Sequence, residues 1–397
     1  MTSSFDAVVA GHICLDVHPD LSGVEREPFE KIFRPGHLVA SGPISFATGG
    51  AVSNTGLALN RLGITTQLVG KIGDDLFGQT VCQIIDSHGE NLAEGMIIDP
   101  AGSTSYTIII SYPGVDRIFL HSPGTNDTFE INDIPYPLLE QARLFHFGYP
   151  PLMRSMFTAY GTSLAEIFCR AKLSRITTSL DMAFPDPSSE AGQANWHNIL
   201  KSVLPHVDIF IPSVEEILFM LRRQTYEAMY ASSAGSDILP LINPELLSDV
   251  AQELIDMGAR IVGLKLGGRG LYVRTGNALQ INSMGRACPS DPNAWASTEL
   301  WAPCFKVAVA GTTGSGDATI AGFLAALLRG LSIEESIRSA VAVGACNVEA
   351  VDALRGIRSW EATQARIAAG WEQYTLELHS PGWQFDPRTG FWRGPCA

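Results

Sequence analysis

The sequence predicts an α/β fold, a mainly parallel sheet with helices on both faces. Three observations carry that expectation. Short apolar runs of strand length alternate with helical stretches through most of the chain. Of the 397 residues 46% are hydrophobic, enough to fill a large core without staples. A glycine-rich turn near residue 314 runs straight into an apolar helix, the layout in which α/β sheets hold anions.

Residues 7–10 and 13–15 form an apolar run without helical period, broken by Gly11, and read as a buried first strand ending at Asp16. Residues 21–44 carry scattered charge and three prolines. They read as an excursion ending in short strand segments near 37–39 and 44–46. Gly49-Gly50 opens a helix to about residue 62, residues 66–72 return as a strand, and a second helix runs to about His88. Segments 104–111 and 117–121, split by Tyr112-Pro113-Gly114-Val115-Asp116, read as a hairpin. Strands follow near 144–147, 177–180, 207–211 and 261–266. Ile320, Phe323, Leu324, Leu327 and Leu328 mark a buried helical face closed by Arg329-Gly330, and Ser332-Ile333-Glu334-Glu335 is a capping box opening a last helix to about residue 350. Residues 224–244 and 286–300 read as insertions. The tail, residues 376–397, contains Trp383, Phe385, Phe391 and Trp392, too aromatic for a disordered end, and is expected to pack on the domain or at an interface.

A formal charge of −14 argues against nucleic acid or an anionic membrane as partner. Seven scattered cysteines without a C-x-x-C pair suggest neither a disulfide framework nor a zinc site, and a reducing, cytoplasmic setting is expected. No uncharged apolar run reaches membrane-spanning length.

The chemistry concentrates in Gly311-Thr312-Thr313-Gly314-Ser315-Gly316-Asp317. Gly314, Ser315 and Gly316 fall at the helix start, where N–H groups lack intrahelical partners and the helix dipole is positive. Asp317 would repel a bound phosphate as a ligand but can take the proton of an attacking hydroxyl. A plain first-turn aspartate is the other reading. The turn lacks the Lys-Ser/Thr pair of a Walker A loop and is not G-x-G-x-x-G. Asp16, at the end of the first strand, could accept from a hydroxyl or serve only its own turn. Gly49, Gly50 and Asn54 offer backbone N–H groups and an amide at a helix start. His146, Asp181 and Arg117 are further candidate contacts, each more simply structural.

These residues resemble the ribokinase-like (PfkB) carbohydrate kinases. Gly311 to Asp317 is similar to the family's D-T-x-G-A-G-D signature, with Gly311 in the place of an Asp that serves the monovalent-cation site of some relatives. Gly49-Gly50 to Asn54 resembles its G-G-x-x-x-N element, Ser213 to Glu216 its N-x-x-E element with Ser213 in the Asn place, and Lys265 to Gly270 its K-x-G-x-x-G turn. The resemblance implies a three-layer α/β/α sandwich over about residues 1–375, with a small β-lid built from segments near 17–48 and 103–123. It also implies ATP with Mg2+, Asp317 as base and Gly314, Ser315 and Gly316 stabilising charge. Asp16, Gly49, Gly50 and Asn54 would hold a sugar or related hydroxyl acceptor. Lys265, Gly267, Gly270 and Ser213 would lie along the nucleotide, Glu216 would act near magnesium, and residues 342–349 would wall the adenine. The lid edge would offer a homodimer surface. A nucleoside kinase of the same fold and a catalytically silent binding protein are the alternatives.

Overall fold

The computed structural model describes residues 5–24, 28–111 and 118–395. In chain order, β1 (Ala7–Gly11), β2 (Cys14–Pro19) and β3 (Ile44–Gly49) precede helix α1 (Ala51–Arg61). Then come β4 (Thr66–Val69), β5 (Lys71–Gly73), β6 (Ile97–Asp99), β7 (Tyr106–Ile110), β8 (Ile118–Ser122), β9 (Leu144–Gly148), β10 (Thr177–Leu180) and β11 (Ile209–Phe210). Helices α2 (Val214–Leu221) and α3 (Arg223–Ser232) lead towards β12 (Ile261–Lys265), β13 (Leu271–Thr275) and β14 (Glu299–Ala302). The chain closes with α4 (Ser315–Leu328), α5 (Ile333–Asn347), β15 (Gln384–Asp386) and β16 (Phe391–Arg393).

Ten strands form the central sheet in the order β15-β16-β14-β13-β12-β11-β10-β9-β1-β4. Pairing is parallel from β4 to β12 and antiparallel beyond it. Successive strand side chains point to opposite faces, and both faces here are dry. Along β1, Val8 and Ala10 join one core cluster while Ala7 and Val9 join the other. Apolar residues of α1, α4 and α5 cover the second face, and those of α2 the first. The expected three-layer sandwich is therefore present.

A separate four-stranded sheet, β3-β2-β7-β8, is built from the segments expected to form the lid. Here the first strand expected from the sequence divides in two. Gly11 has φ +124, and a Cβ on it would strike the Gly148 carbonyl, so the chain turns out of the central sheet after β1. Asp16 accordingly sits on a lid strand, paired with Ala47 and Thr107, rather than at the end of a central strand. The strand expected over 66–72 divides in the same way: β5 pairs with β6 in a sheet of its own. No strand forms near 37–39, where Leu38 is almost fully exposed. The expected insertion at 224–244 continues α3, and the one at 286–300 ends inside β14. Arg117 and the turn from Tyr112 to Asp116 lie outside the described residues.

The aromatic tail extends the central sheet. Hairpin β15–β16 adds to the edge of β14, with Trp392 opposite Trp301, and Phe391 is fully buried in the second core. Trp383 packs in the first core with its ring 6.4 Å from Trp301. Truncating Phe391 to Ala should therefore cost about 3–5 kcal/mol, as for a core phenylalanine. Urea denaturation checks this, and a change within ~0.5 kcal/mol would mean that the tail is not part of the cooperative core.

Candidate active site

Open α/β sheets bind ligands outside the carboxyl ends of their strands where the strand order reverses. In this sheet β1 lies between β4 and β9, so the chain leaves β1 in one direction and returns on its other side. The segments after β1, β9, β10, β11 and β12 converge on that crevice, facing the start of α4.

Helix α4 begins at Gly314, whose φ of +71 suits a glycine. Its first backbone bond runs from the Ala318 N–H to the Gly314 carbonyl at 2.8 Å, so Gly316 and Asp317 precede the intrahelical ladder. The Ser315 N–H already donates to the Thr312 carbonyl at 3.2 Å, which leaves it less free than the motif suggests. Asp317 is 3% exposed and accepts three hydrogen bonds: from Asn54 Nδ2 (3.1 Å), Thr55 Oγ1 (2.9 Å) and the Tyr149 hydroxyl (2.7 Å). A buried carboxylate needs such donors, and these fix its orientation.

Lys265, at the end of β12, ion-pairs with Asp181 at 2.7 Å. Its Nζ lies 3.3 Å from where a Cβ on Gly316 would stand, so the glycine admits the ammonium to the turn. Burial would push Lys265 down, but the carboxylates of Asp181, Glu216 and Asp317 hold it above its ordinary value. Burial conversely pushes the carboxyls of Asp181 and Glu216 up. Ser213 and Glu216 form the capping box of α2: the Ser213 N–H donates to Glu216 Oε2 at 2.7 Å, and the Glu216 N–H to Ser213 Oγ at 3.3 Å. One ammonium thus faces three carboxyl groups.

A cavity of about 660 Å³ opens from this cluster. Tyr149, Asp181, Ser213, Glu216, Lys265, Gly267 and Gly270 line it with Gly314, Ser315, Gly316 and Asp317, and Phe305, Val341, Gly344, Ala345 and Val348 make it apolar at the other end. Gly267 opens a single turn after β12, and Gly270 (φ +95) passes so close to the Ala302 carbonyl that no side chain fits. The dimensions suit a small molecule with an apolar and an anionic end.

Asp16 and Gly49 stand on lid strands β2 and β3, and Gly50 directly precedes α1. A Cβ on Gly49 would stand 2.5 Å from Asp16 Oδ2, and one on Gly50 2.6 Å from His12 Nδ1. The glycine pair therefore clears space for both side chains. Burial pushes the Asp16 carboxyl up to about 6, its hydrogen bonds from Cys14 and Thr107 only partly offsetting this.

Asp181, which the sequence left as more simply structural, joins the cluster, whereas His146 is buried within β9 with Nδ1 3.0 Å from Ser179 Oγ on β10. Tyr149 and Thr55 escaped the sequence reading. Thr55 adjoins Asn54, and Tyr149 stands between a strand and Pro150-Pro151 with φ +66, a strained conformation for a bulky residue. The diproline after a strand end was the available signal.

A three-layer sandwich with an anion-ready helix start at the strand-order reversal is the layout of a small-molecule phosphotransferase of the ribokinase-like fold. Solved structures agree on the fold: Arabidopsis thaliana ribokinase complexed with ribose and ATP superposes with a TM-score of 0.66 at 16% identity, over 91% of this chain and 98% of that one. Xylella fastidiosa fructokinase with bound ATP gives 0.66 at 18%, with the same coverage of both chains. The model of the pfkB family carbohydrate kinases matches residues 8–359, and the chain belongs to that family. It is a kinase acting on an alcohol group. An uncharacterized sugar kinase of Archaeoglobus fulgidus is 26% identical over 310 residues, 76% of this chain and 98% of that protein. The probable chloroplastic fructokinase-6 of Arabidopsis thaliana is 25% identical over 369 residues, 91% and 82% respectively. Among the described residues no helix is long and apolar enough to cross a membrane.

Because Asp16 binds its proton more tightly in the fold than in the unfolded chain, its ionisation should lower stability as pH rises from about 4 to about 6. Asp16→Asn should therefore melt roughly 5 °C above the parent at pH 7.5 and no higher than it at pH 4. Thermal denaturation at the two pH values checks this.

Proposed function

We propose that this protein transfers the γ-phosphoryl group of ATP, carried with Mg2+, to a hydroxyl of a sugar or sugar derivative, with Asp317 as general base. The observation that carries the reading is the Asp317 carboxylate, oriented by three donors at the start of α4 and lining the cavity. ATP would lie in that cavity, its adenine against Val341, Ala345 and Val348 and its phosphates running past Gly267, Gly270 and Ser213 to Lys265. ATP is present in several structures of the fold, in one putative Escherichia coli ribokinase together with Mg2+.

The acceptor hydroxyl would reach Asp317 from the lid side, gripped by Asp16, Gly49, Gly50 and Asn54. Asp317 takes its proton as the oxygen attacks phosphorus, and the N–H groups of Gly314 and Gly316 with the Lys265 ammonium stabilise the charge on the transferring group. The three carboxyl groups around one ammonium suit a further cation. Among the described residues, however, no cluster of three or more His, Cys, Asp or Glu could hold a metal by itself. Magnesium, when bound, would neutralise the phosphates chiefly on their own oxygens, with Glu216 near it through water.

Asp317→Asn should fold normally and lose on the order of 10²-fold or more in kcat, the range of a general base. Steady-state kinetics across sugars with ATP decides, and retained turnover would remove Asp317 from the role. A nucleoside acceptor is the second reading. A nucleoside kinase of Methanocaldococcus jannaschii shares the fold with a TM-score of 0.59, and the rings of His12, His121 and Tyr149 could stack a base.

A further inference from the structure

His12 takes no part in the catalytic cluster, yet its placement is unusual. Its backbone is pinned between two elements of the site: its N–H donates to the Gly148 carbonyl at the end of β9, and its carbonyl accepts from Val52 at the start of α1, both at 3.2 Å. The side chain is 2% exposed, and neither ring nitrogen has a hydrogen-bond partner. The ring centroid lies 5.6 Å from His121 on the lid and 6.2 Å from Tyr149, whose hydroxyl touches Asp317. His12 therefore stands between the lid and the base, its Nδ1 close to where a side chain on Gly50 would be. Burial, with His121 adding to it, pushes the imidazole down to about 3, so it is neutral at pH 7.

A buried polar group without a partner costs free energy unless something satisfies it. A neutral imidazole presents one donor and one acceptor, the complement of a hydroxyl. Asp16, packed against Gly49 next to Gly50 in the chain, accepts only when ionised. His121 is engaged with Thr107 Oγ1 at 3.0 Å, and Thr107 is paired with Asp16 across the lid. Among the described residues no lysine or arginine pairs with Asp16 or bonds to either imidazole ring. Among the described residues, a phosphate or carboxylate there would meet the Asp16 carboxylate and no cation.

Resting on the phosphotransfer reading above, we propose that His12 is an acceptor-binding and specificity-determining residue, and that the acceptor is an uncharged polyol. One hydroxyl donates to Asp16, and a second exchanges hydrogen bonds with His12. A third is delivered to Asp317.

The test is kinetic, on the full chain with Mg-ATP and a panel of neutral sugars, nucleosides, sugar phosphates and sugar acids. A neutral sugar or nucleoside should give the highest kcat/KM. His12→Phe, which keeps a ring but no nitrogen, should raise the acceptor KM by ~10-fold or more and leave the ATP KM within about twofold. His12→Gln, with a donor and an acceptor, should recover part of that loss. Should His12→Phe fail to show the parent's thermal shift with ATP, deoxy analogues of the best acceptor tested on the parent protein replace it. Removing the contacted hydroxyl should cost ~10-fold or more in kcat/KM. An unchanged acceptor KM in His12→Phe, or equal use of every deoxy analogue, would overturn the role of His12. A sugar phosphate or sugar acid as the best acceptor would overturn the substrate class. Absence of ATP turnover with every acceptor in the parent protein would instead sink the phosphotransfer reading, and thermal shifts of the parent and of His12→Phe with the same neutral sugars would still report on His12.

Discussion

The carboxylate of Asp317 is the point on which the geometry of the site depends. It is buried at the start of α4, and its donors come from two other parts of the fold: Asn54 and Thr55 one turn into α1, and Tyr149 just beyond β9. The three bonds link α1 and the end of β9 to the start of α4, where Tyr149 has φ +66. Close helix packing supports the same arrangement. A Cβ on Gly322 of α4 would stand 2.8 Å from the Ser339 carbonyl of α5, so those two helices approach at backbone distance and carry the glycine turn into the crevice. Rigid elements thus position the residues that chemistry would use.

Electrostatics divides the crevice into two unlike halves. On the cavity side Lys265 is surrounded by Asp181, Glu216 and Asp317, an arrangement that a polyanion alone would disturb and a polyanion with its cation would complete. On the lid side the Asp16 carboxylate and the His12 and His121 imidazoles have, among the described residues, no lysine or arginine partner, a surface suited to hydroxyls. Tyr149 stands between the halves, its phenol pushed well up by burial and by Asp317, so that it remains a donor. The overall charge of −14 is compatible with nucleotide chemistry because one buried ammonium and the start of α4 act locally, where the dielectric is low.

Some of this was legible in the residues because it is local. Gly314 to Asp317 reads as an anion turn because turn, helix start and carboxylate are contiguous, and Gly49-Gly50 to Asn54 announces itself for the same reason. Asp16 was misplaced because one apolar run hides a change of sheet: the bend at Gly11 is forced by the Gly148 carbonyl, 137 residues away in sequence. Asp181 gave no local sign of its role, since its partner Lys265 is 84 residues distant. Tyr149 was hidden likewise, because its hydroxyl finds Asp317 168 residues along the chain.

By itself the sequence determined the class of fold, the order of its layers and the residues around the helix start, because periodicity, caps and glycine turns act over a few residues. The tertiary structure decided which strands left the central sheet to make the lid, that the aromatic tail became the edge of the central sheet, and that His12, Tyr149 and Asp181 share one crevice. Those outcomes depend on contacts between distant segments, which no short-range pattern encodes.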